Sequence, residues 1–313
     1  MTPLAGTPTI VQLGDRRIRL RLVTENAPDE QLTPLAPPPS LLQPLSGDKA
    51  VIVPSPPVLP TPAIEQAVFD HKLIGGSFTL FILMYGDYPE LHKKCLESVL
   101  ATTHPGNVEI RIGCNQVCSE TRTYLKHKHK EGRVGRIYNW EENLRKYPAM
   151  RLMFHDADVP IDTKWVIWMD DDTVCNKRSD WLTLLAKEII SHSESGHHLY
   201  GPPYFTHLGP SQITWMREGN WYRGKPWADK KGRSAPNGTC VHFASGSFWC
   251  VSTEAIKVCD IPDARLTNNM GDIVNGAALY QNGYKLRAVS HNKSWVTWSG
   301  APRRGVTEKP KGW

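Results

Sequence analysis

Two uninterrupted apolar runs, SFTLFILMY from Ser77 and WVIWM from Trp165, constrain this chain most. A strand with one wet face alternates apolar and polar residues, so a run without alternation is expected where both faces are covered. Helical patterns lie around these runs. Asp87, Pro89 and Glu90 make a helix start, and Leu91, Cys95, Leu96, Val99 and Leu100 then share one face. VEIRIG reads as the next strand, followed by a helix capped by Ser119. Asp180 caps another helix, with Trp181, Leu184, Leu185 and Ile189 on its inner face. FWCVS reads as a later strand, Met270 to Asn282 as a helix closed by Gly283, and YKLRAVS as the last strand. Strands alternating with helices predict an α/β domain built on a mostly parallel sheet.

The flanks differ in character. Residues 8–24 read as two short strands around Gly14-Asp15. From Asn26 to Pro62 a proline falls every few residues, fixing φ and removing ladder donors, which predicts an extended arm. The organisation expected is a strand pair and arm over 1–70, the main domain over 71–300 and a basic tail over 301–313. Seven cysteines without regular spacing read as free thiols, and Cys114-x-x-x-Cys118 lacks the second pair a zinc site needs. With no secretory pattern and no long apolar span, a cytoplasmic protein without membrane attachment is expected. The formal charge of +6 is concentrated around Arg122–Arg136, Met216–Arg233 and the tail, which favours an anionic partner.

WVIWM ends in Asp170, Asp171 and Asp172. Adjacent carboxylates disfavour one another's ionised form, so a positive charge is required nearby. Ligands of open α/β sheets bind outside the carboxyl ends of the strands, where this triplet falls. Extended-chain alternation sends Asp170 and Asp172 to one side and Asp171 to the other, free to hydrogen-bond locally. The outer pair can converge on a hard cation, Mn²⁺ or Mg²⁺, although a polar turn after a strand explains the tripeptide equally well. Asp156 and Asp158 in HDADVP form a second acidic group, for which a turn is the simpler reading.

Three further features lie downstream. Ser245-Gly246-Ser247 permits close backbone approach to a ligand, Asp272 opens a helix whose dipole favours its ionised form, and His291 follows YKLRAVS. A strand ending in DDD, a small-residue segment before VSTEA, the helix start GDIVNG and a late histidine together resemble Fringe and β1,3-galactosyltransferase-type glycosyltransferases. SFTLFILMYGDYPELHKKCLESVL also resembles the opening of family-two glycosyltransferases. Both have the GT-A fold, a Rossmann-like nucleotide-sugar-binding domain, and the resemblance covers about residues 77–298.

The resemblance implies that Asp170, Asp172 and His291 hold the divalent ion, and that Asp272 is the catalytic base. It places Tyr85, Gly86, Asn115, Asp171 and Gly246 beside the nucleotide sugar, with UDP the expected carrier. Two departures stand out. Asn115 occupies a position where relatives often carry an acid facing the uracil, and Gly271 replaces the acid that usually precedes the base. The chemistry requires these groups: a cation stabilises charge on the departing phosphate, and a carboxylate accepts the acceptor hydroxyl's proton during an inverting displacement.

For the acceptor, Trp221, Tyr222 and Trp227 interleave with Arg223 and Lys225 in a loop broken by Gly and Pro. Such rings stack on sugars or on unpaired bases, or plug a lid. A bacterial glycan or protein is one acceptor, but the basic patches, the aromatic loop and the lack of an anchor favour a second, DNA carrying hydroxymethylated pyrimidines such as 5-hydroxymethylcytosine. The second would resemble bacteriophage DNA-modifying enzymes, acting in the host cytoplasm on a flipped base. A metal-dependent nuclease or phosphotransferase and a non-enzymatic nucleic-acid-binding protein are the competing classes.

Overall fold

Ten strands form one sheet in a computed structural model that describes residues 9–13, 16–22, 49–53, 78–104, 106–176, 180–224, 240–244, 246–267, 270–289 and 296–298. Strands β1 (Thr9–Leu13) and β2 (Arg16–Leu22) pair antiparallel, and β3 (Lys49–Val53) lies parallel to β2. The main domain follows with β4 (Phe78–Gly86), α1 (Pro89–Leu100), β5 (Val108–Val117), α2 (Ser119–Lys130), β6 (Arg136–Trp140), α3 (Lys146–Phe154) and β7 (Trp165–Asp170). The four strands β6-β5-β4-β7 are mutually parallel. At one edge β3 joins β6 antiparallel, so a strand lies within the proline-rich stretch.

The second half comprises β8 (Thr173–Cys175), α4 (Trp181–His192), β9 (His197–Gly201), β10 (Pro203–His207), α5 (Pro210–Arg217), β11 (Cys240–Ala244) and β12 (Phe248–Ser252). Then come α6 (Thr253–Cys259), α7 (Gly271–Gln281), β13 (Lys285–Ala288) and β14 (Val296–Trp298). β12 runs antiparallel to β7 and to β9, and β13 runs parallel to β9. Two reversals restore direction, so β9 and β13 point the same way as β7. Two small ribbons, β10 with β11 and β8 with β14, flank the sheet.

The unbroken apolar runs divide as the pleat dictates. Phe81 and Leu83 of β4 and Val166 and Trp168 of β7 enter one core with α3, α6 and α7. Phe78, Leu80, Ile82 and Met84 with Trp165, Ile167 and Met169 enter the other, against α1, α2 and α4. The sheet is therefore covered on both faces, as expected of an α/β domain. None of the seven cysteines is in a disulfide. Among the described residues no helix is long and apolar enough to cross a membrane.

Several local expectations shift. Tyr88, not Asp87, precedes the first turn of α1, and Ser119 is the first helical residue of α2 rather than its cap. Leu184 is 38% exposed, off the inner face of α4. YKLRAVS is followed by one more short strand, β14. The Asp156 segment is a turn: Oδ1 accepts from the backbone N–H groups of Asp158 and Val159. Its Oδ2 faces Arg136 Nη2 at 2.9 Å and accepts from the Tyr138 hydroxyl, with the Arg136 and Asp156 side chains 1% and 4% exposed. Removing the acid would strand a buried guanidinium. Asp156→Ala should lower unfolding free energy by about 3–5 kcal/mol in urea denaturation; a loss below about 1 kcal/mol would show that the pair contributes little.

Candidate active site

The reversed strand β12 builds the site. Phe248 lies opposite Met169, which brings the turn before β12 against the end of β7. Asp170 donates its N–H to the Ser247 carbonyl at 3.1 Å, and the Thr173 hydroxyl donates to the same oxygen at 2.7 Å. Helix α7 packs so tightly on β11 that a side chain at Gly276 would meet the His242 carbonyl. This close approach sets Asp272 beside Gly246, where an added Cβ would lie 2.6 Å from Asp272 Oδ2 and 2.8 Å from Lys146 Nζ. Asp170, Asp272, Gly246 and Lys146 thus share one point.

Lys146 is the cation that the aspartate run required. Its ammonium donates to both Asp170 oxygens, at 2.9 and 3.1 Å, and to the Gly246 carbonyl at 3.1 Å. Burial opposes its charge, but Asp170 and Asp272 hold the proton, and its pKa is raised. Trp168 Nε1 adds a second side-chain donor to Asp170, at 3.0 Å. Sequence patterning does not point to Lys146, because α3 is not legible as a helix. Pro148 reads as a breaker, yet it stands in the first turn, where no intrahelical N–H is lost. Tyr147, Met150 and Phe154, spaced three and four residues apart, were the available signal.

Asp272 receives the Tyr147 hydroxyl at 3.1 Å. Burial pushes its carboxyl above the ordinary carboxylate range, against the pull of Lys146. Leu199, Trp249, Val251, Ile261 and Leu279 form an apolar cleft next to it, which accounts for the desolvation. The glycine at 271 also has a physical reason: the Tyr147 ring lies where a side chain there would project.

The other acids diverge. Asp171 is 2% exposed, lies 3.3 Å from His92 Nε2 and accepts the Tyr85 N–H at 3.3 Å. His92 Nδ1 meets the Thr121 hydroxyl at 2.9 Å. Asp171 therefore ties β7 to β4, α1 and α2, on the far side of the strand from Asp170. Burial raises its pKa despite His92. Asp172 is half-buried, and burial with the repulsion of Asp170 and Asp171 pushes its carboxyl up to about 6.

Tyr85 and Gly86 end β4 at the same edge, and Tyr85 packs edge-on to Tyr88 at 5.8 Å. Asn115, 2% exposed at the end of β5, donates to Asn143 Oδ1 at 3.0 Å and accepts from Leu144 N at 2.7 Å. Its amide holds the loop that delivers Lys146, through Arg145 at φ +71°. Trp221 corrects an expectation: it is 3% exposed and donates from Nε1 to Asp263, a core residue rather than an acceptor contact. Tyr222 is partly buried against the same core, while Arg223 is exposed and donates to the Asn220 carbonyl. His291, Lys225 and Trp227 lie outside the described residues.

These positions test the expected metal shell. Both Asp170 oxygens are taken by Lys146, Asp171 faces away, and Asp272 is held by Tyr147. Among the described residues no three His, Cys, Asp or Glu side chains converge on a metal position. Two unit charges about 4 Å apart repel by about 4 kcal/mol at an effective dielectric of about 20, and a divalent ion beside Lys146 would double that. Asp170 would have to release Lys146 before it could hold a divalent ion, and of the other two expected ligands Asp172 is half-buried beside it while His291 lies outside the described residues.

An α/β fold with acids at the carboxyl edge of its sheet sets the class, and sequence comparison names the family. The family model for glycosyl transferase family 2 matches residues 79–257, from β4 into α6. The chain belongs to glycosyl transferase family 2, so the family-two resemblance holds. Asp272 falls beyond the matched stretch. Comparison with curated proteins gives no match. Among solved structures, S. aureus TarS is 15% identical with a TM-score of 0.47, over 70% of this chain and 36% of that one. A TarS 1–349 structure in complex with UDP gives 15% and 0.47, over 70% and 59%. The mannosyltransferase PcManGT from Pyrobaculum calidifontis, in complex with GDP-Man and Mn2+, gives 11% and 0.46, over 68% and 55%. The chain thus spans between about a third and three fifths of the length of these proteins.

Gly271→Ala places a methyl group inside the Tyr147 ring position. Its unfolding free energy should fall by about 1–3 kcal/mol, measured by chemical denaturation, as expected for overpacking. An unchanged midpoint would mean that Tyr147 is free to move.

Proposed function

We propose that the protein transfers a sugar from a nucleotide-sugar donor to an acceptor hydroxyl, with inversion and with Asp272 as the base. The observation that carries this is the convergence of Asp272, Asp170, Lys146 and Gly246 at the carboxyl edge of a family-two domain. The acceptor oxygen attacks the anomeric carbon and passes its proton to Asp272. The bond to the diphosphate breaks on the opposite face, and the phosphate leaves with the electron pair. Tyr85 and Gly86 stand at the strand ends where the nucleotide would lie, and a UDP carrier is the donor we infer. Asn115 supports that pocket indirectly, through the 143–146 loop.

Mn²⁺ or Mg²⁺ was expected from the aspartates. Because Asp170 is engaged by Lys146, no step is assigned to a divalent ion here. Hydroxymethylated DNA as acceptor loses two of its supports. Trp221 is interior, and Arg122 and Lys128 of the basic run are ion-paired with Glu141, Glu97 and Glu131.

The test is incubation with a panel of UDP- and GDP-sugars against glycan, protein and hydroxymethylated-DNA acceptors, following nucleoside diphosphate release and acceptor mass gain. A single donor and acceptor class should emerge; DNA strand cleavage instead would indicate the nuclease class. Asp272→Asn should reduce kcat by about 10²–10⁴-fold while calorimetry shows donor binding unchanged. Wild-type turnover should rise with pH through a midpoint above the usual carboxylate range, because only the deprotonated Asp272 accepts the proton and burial raises its pKa. A rate independent of pH between about 4 and 8 would remove Asp272 from that role.

A further inference from the structure

We infer that Asn275 reads a second hydroxyl of the acceptor, next to the one that attacks, so that the molecule receiving the sugar is itself a sugar or another vicinal polyol. The inference rests on the transferase reading above. Asn275 lies one helical turn beyond Asp272 in α7, which sets the two side chains on one face, about 5–6 Å apart. Both line the cleft walled by Leu199, Trp249, Val251 and Leu279. Asp272 is partly exposed and Asn275 is 7% exposed, so the cleft runs inward from the base to the amide. Neither Asp170 nor Lys146 lines it. It therefore extends from Asp272 away from those charges, on the acceptor's side of an in-line displacement.

An asparagine is chemically out of place at this position. Its Oδ1 is buried and has no hydrogen-bond partner among the described residues. A buried amide oxygen without a donor is unfavourable, and an apolar side chain of similar size would suit these walls better. Packing does not account for the amide, whereas a ligand that brings a donor does. The free space in the cleft is about 10 Å³, room for a single group of about the size of water. An alcohol meets both conditions: its O–H donates to Oδ1, and the carbon that bears it lies against the apolar walls. With the attacking hydroxyl at Asp272, the hydroxyl at Asn275 is its neighbour on the same skeleton.

The experiment measures acceptor-dependent release of nucleoside diphosphate by the full chain from UDP- and GDP-sugars, with methyl hexopyranosides and their monodeoxy analogues as acceptors. In the wild type, removing one hydroxyl beside the reacting one should lower kcat/KM by at least about tenfold, and removing a more distant one by less than about threefold. Asn275→Leu should raise the acceptor KM by about tenfold or more and abolish the penalty for the missing hydroxyl. It should leave the donor KM unchanged and the unfolding midpoint unchanged or higher, which loss of a merely structural amide would not do. The deoxy series needs no variant, so a poorly folding Asn275→Leu does not obscure the result. A series without a selective loss, a variant that discriminates as the wild type does, or a higher KM for the donor instead would overturn the role of Asn275 and leave the transferase reading standing. Turnover confined to protein or hydroxymethylated DNA would do the same. Absence of release with every donor and every acceptor, glycoside, protein or DNA, would overturn the two together.

Discussion

Three consecutive carboxylates at the end of one strand can coexist only if each finds a different way to lose its neighbours' repulsion, and the site depends on how that is done. Asp170 is neutralised by Lys146, Asp171 is buried against His92, and Asp172 is left half-buried with a carboxyl near 6. The pleat makes this division possible by sending alternate side chains to opposite sides. Each solution recruits a different element: α3 on one face of the sheet, α1 and α2 on the other. The electrostatic problem of a tripeptide thereby becomes a set of long-range ties.

These ties link stability to chemistry. Asp171 accepts the Tyr85 N–H, so the acid that faces away from the cleft also fixes the strand end beside which a nucleotide would lie. Asn115 acts in the same manner through the loop before α3. Asp171 and Asn115 thus hold backbone at the end of β4 and in the loop before α3. Such supporting contacts set the precision of a site as firmly as the contacts that meet a ligand.

The sheet was legible because strands buried on both faces are written as unbroken apolar runs, and β4, β7 and β12 fall on such runs, while β5 shows alternation instead. The acids were legible because charge directly after a buried strand is costly without a purpose. Asp272 and the Gly246 turn came through their spacing, and the geometry brings them together. Lys146 was hidden for a physical reason: one lysine among 37 basic residues has no signature, and its helix carries a proline in the first turn. Trp221 misled because burial in a loop depends on distant partners, here Asp263 and Asn282, which no local pattern displays. The reversed direction of β12 was likewise invisible, since strand polarity leaves no trace in composition.

That reversal has a wider meaning for how such a domain can diversify. The chain quits the charged centre at Asp170 and returns to it at Gly246, and β9 is stapled to β12 on the way. Residues 202–224, with β10 and α5, are the described part of a detour between these two moorings. Lengthening a detour of this type costs little, because closure entropy grows only logarithmically with loop length. New surface for a different hydroxyl-bearing molecule could be grafted onto that excursion while the lysine and its acids stay put.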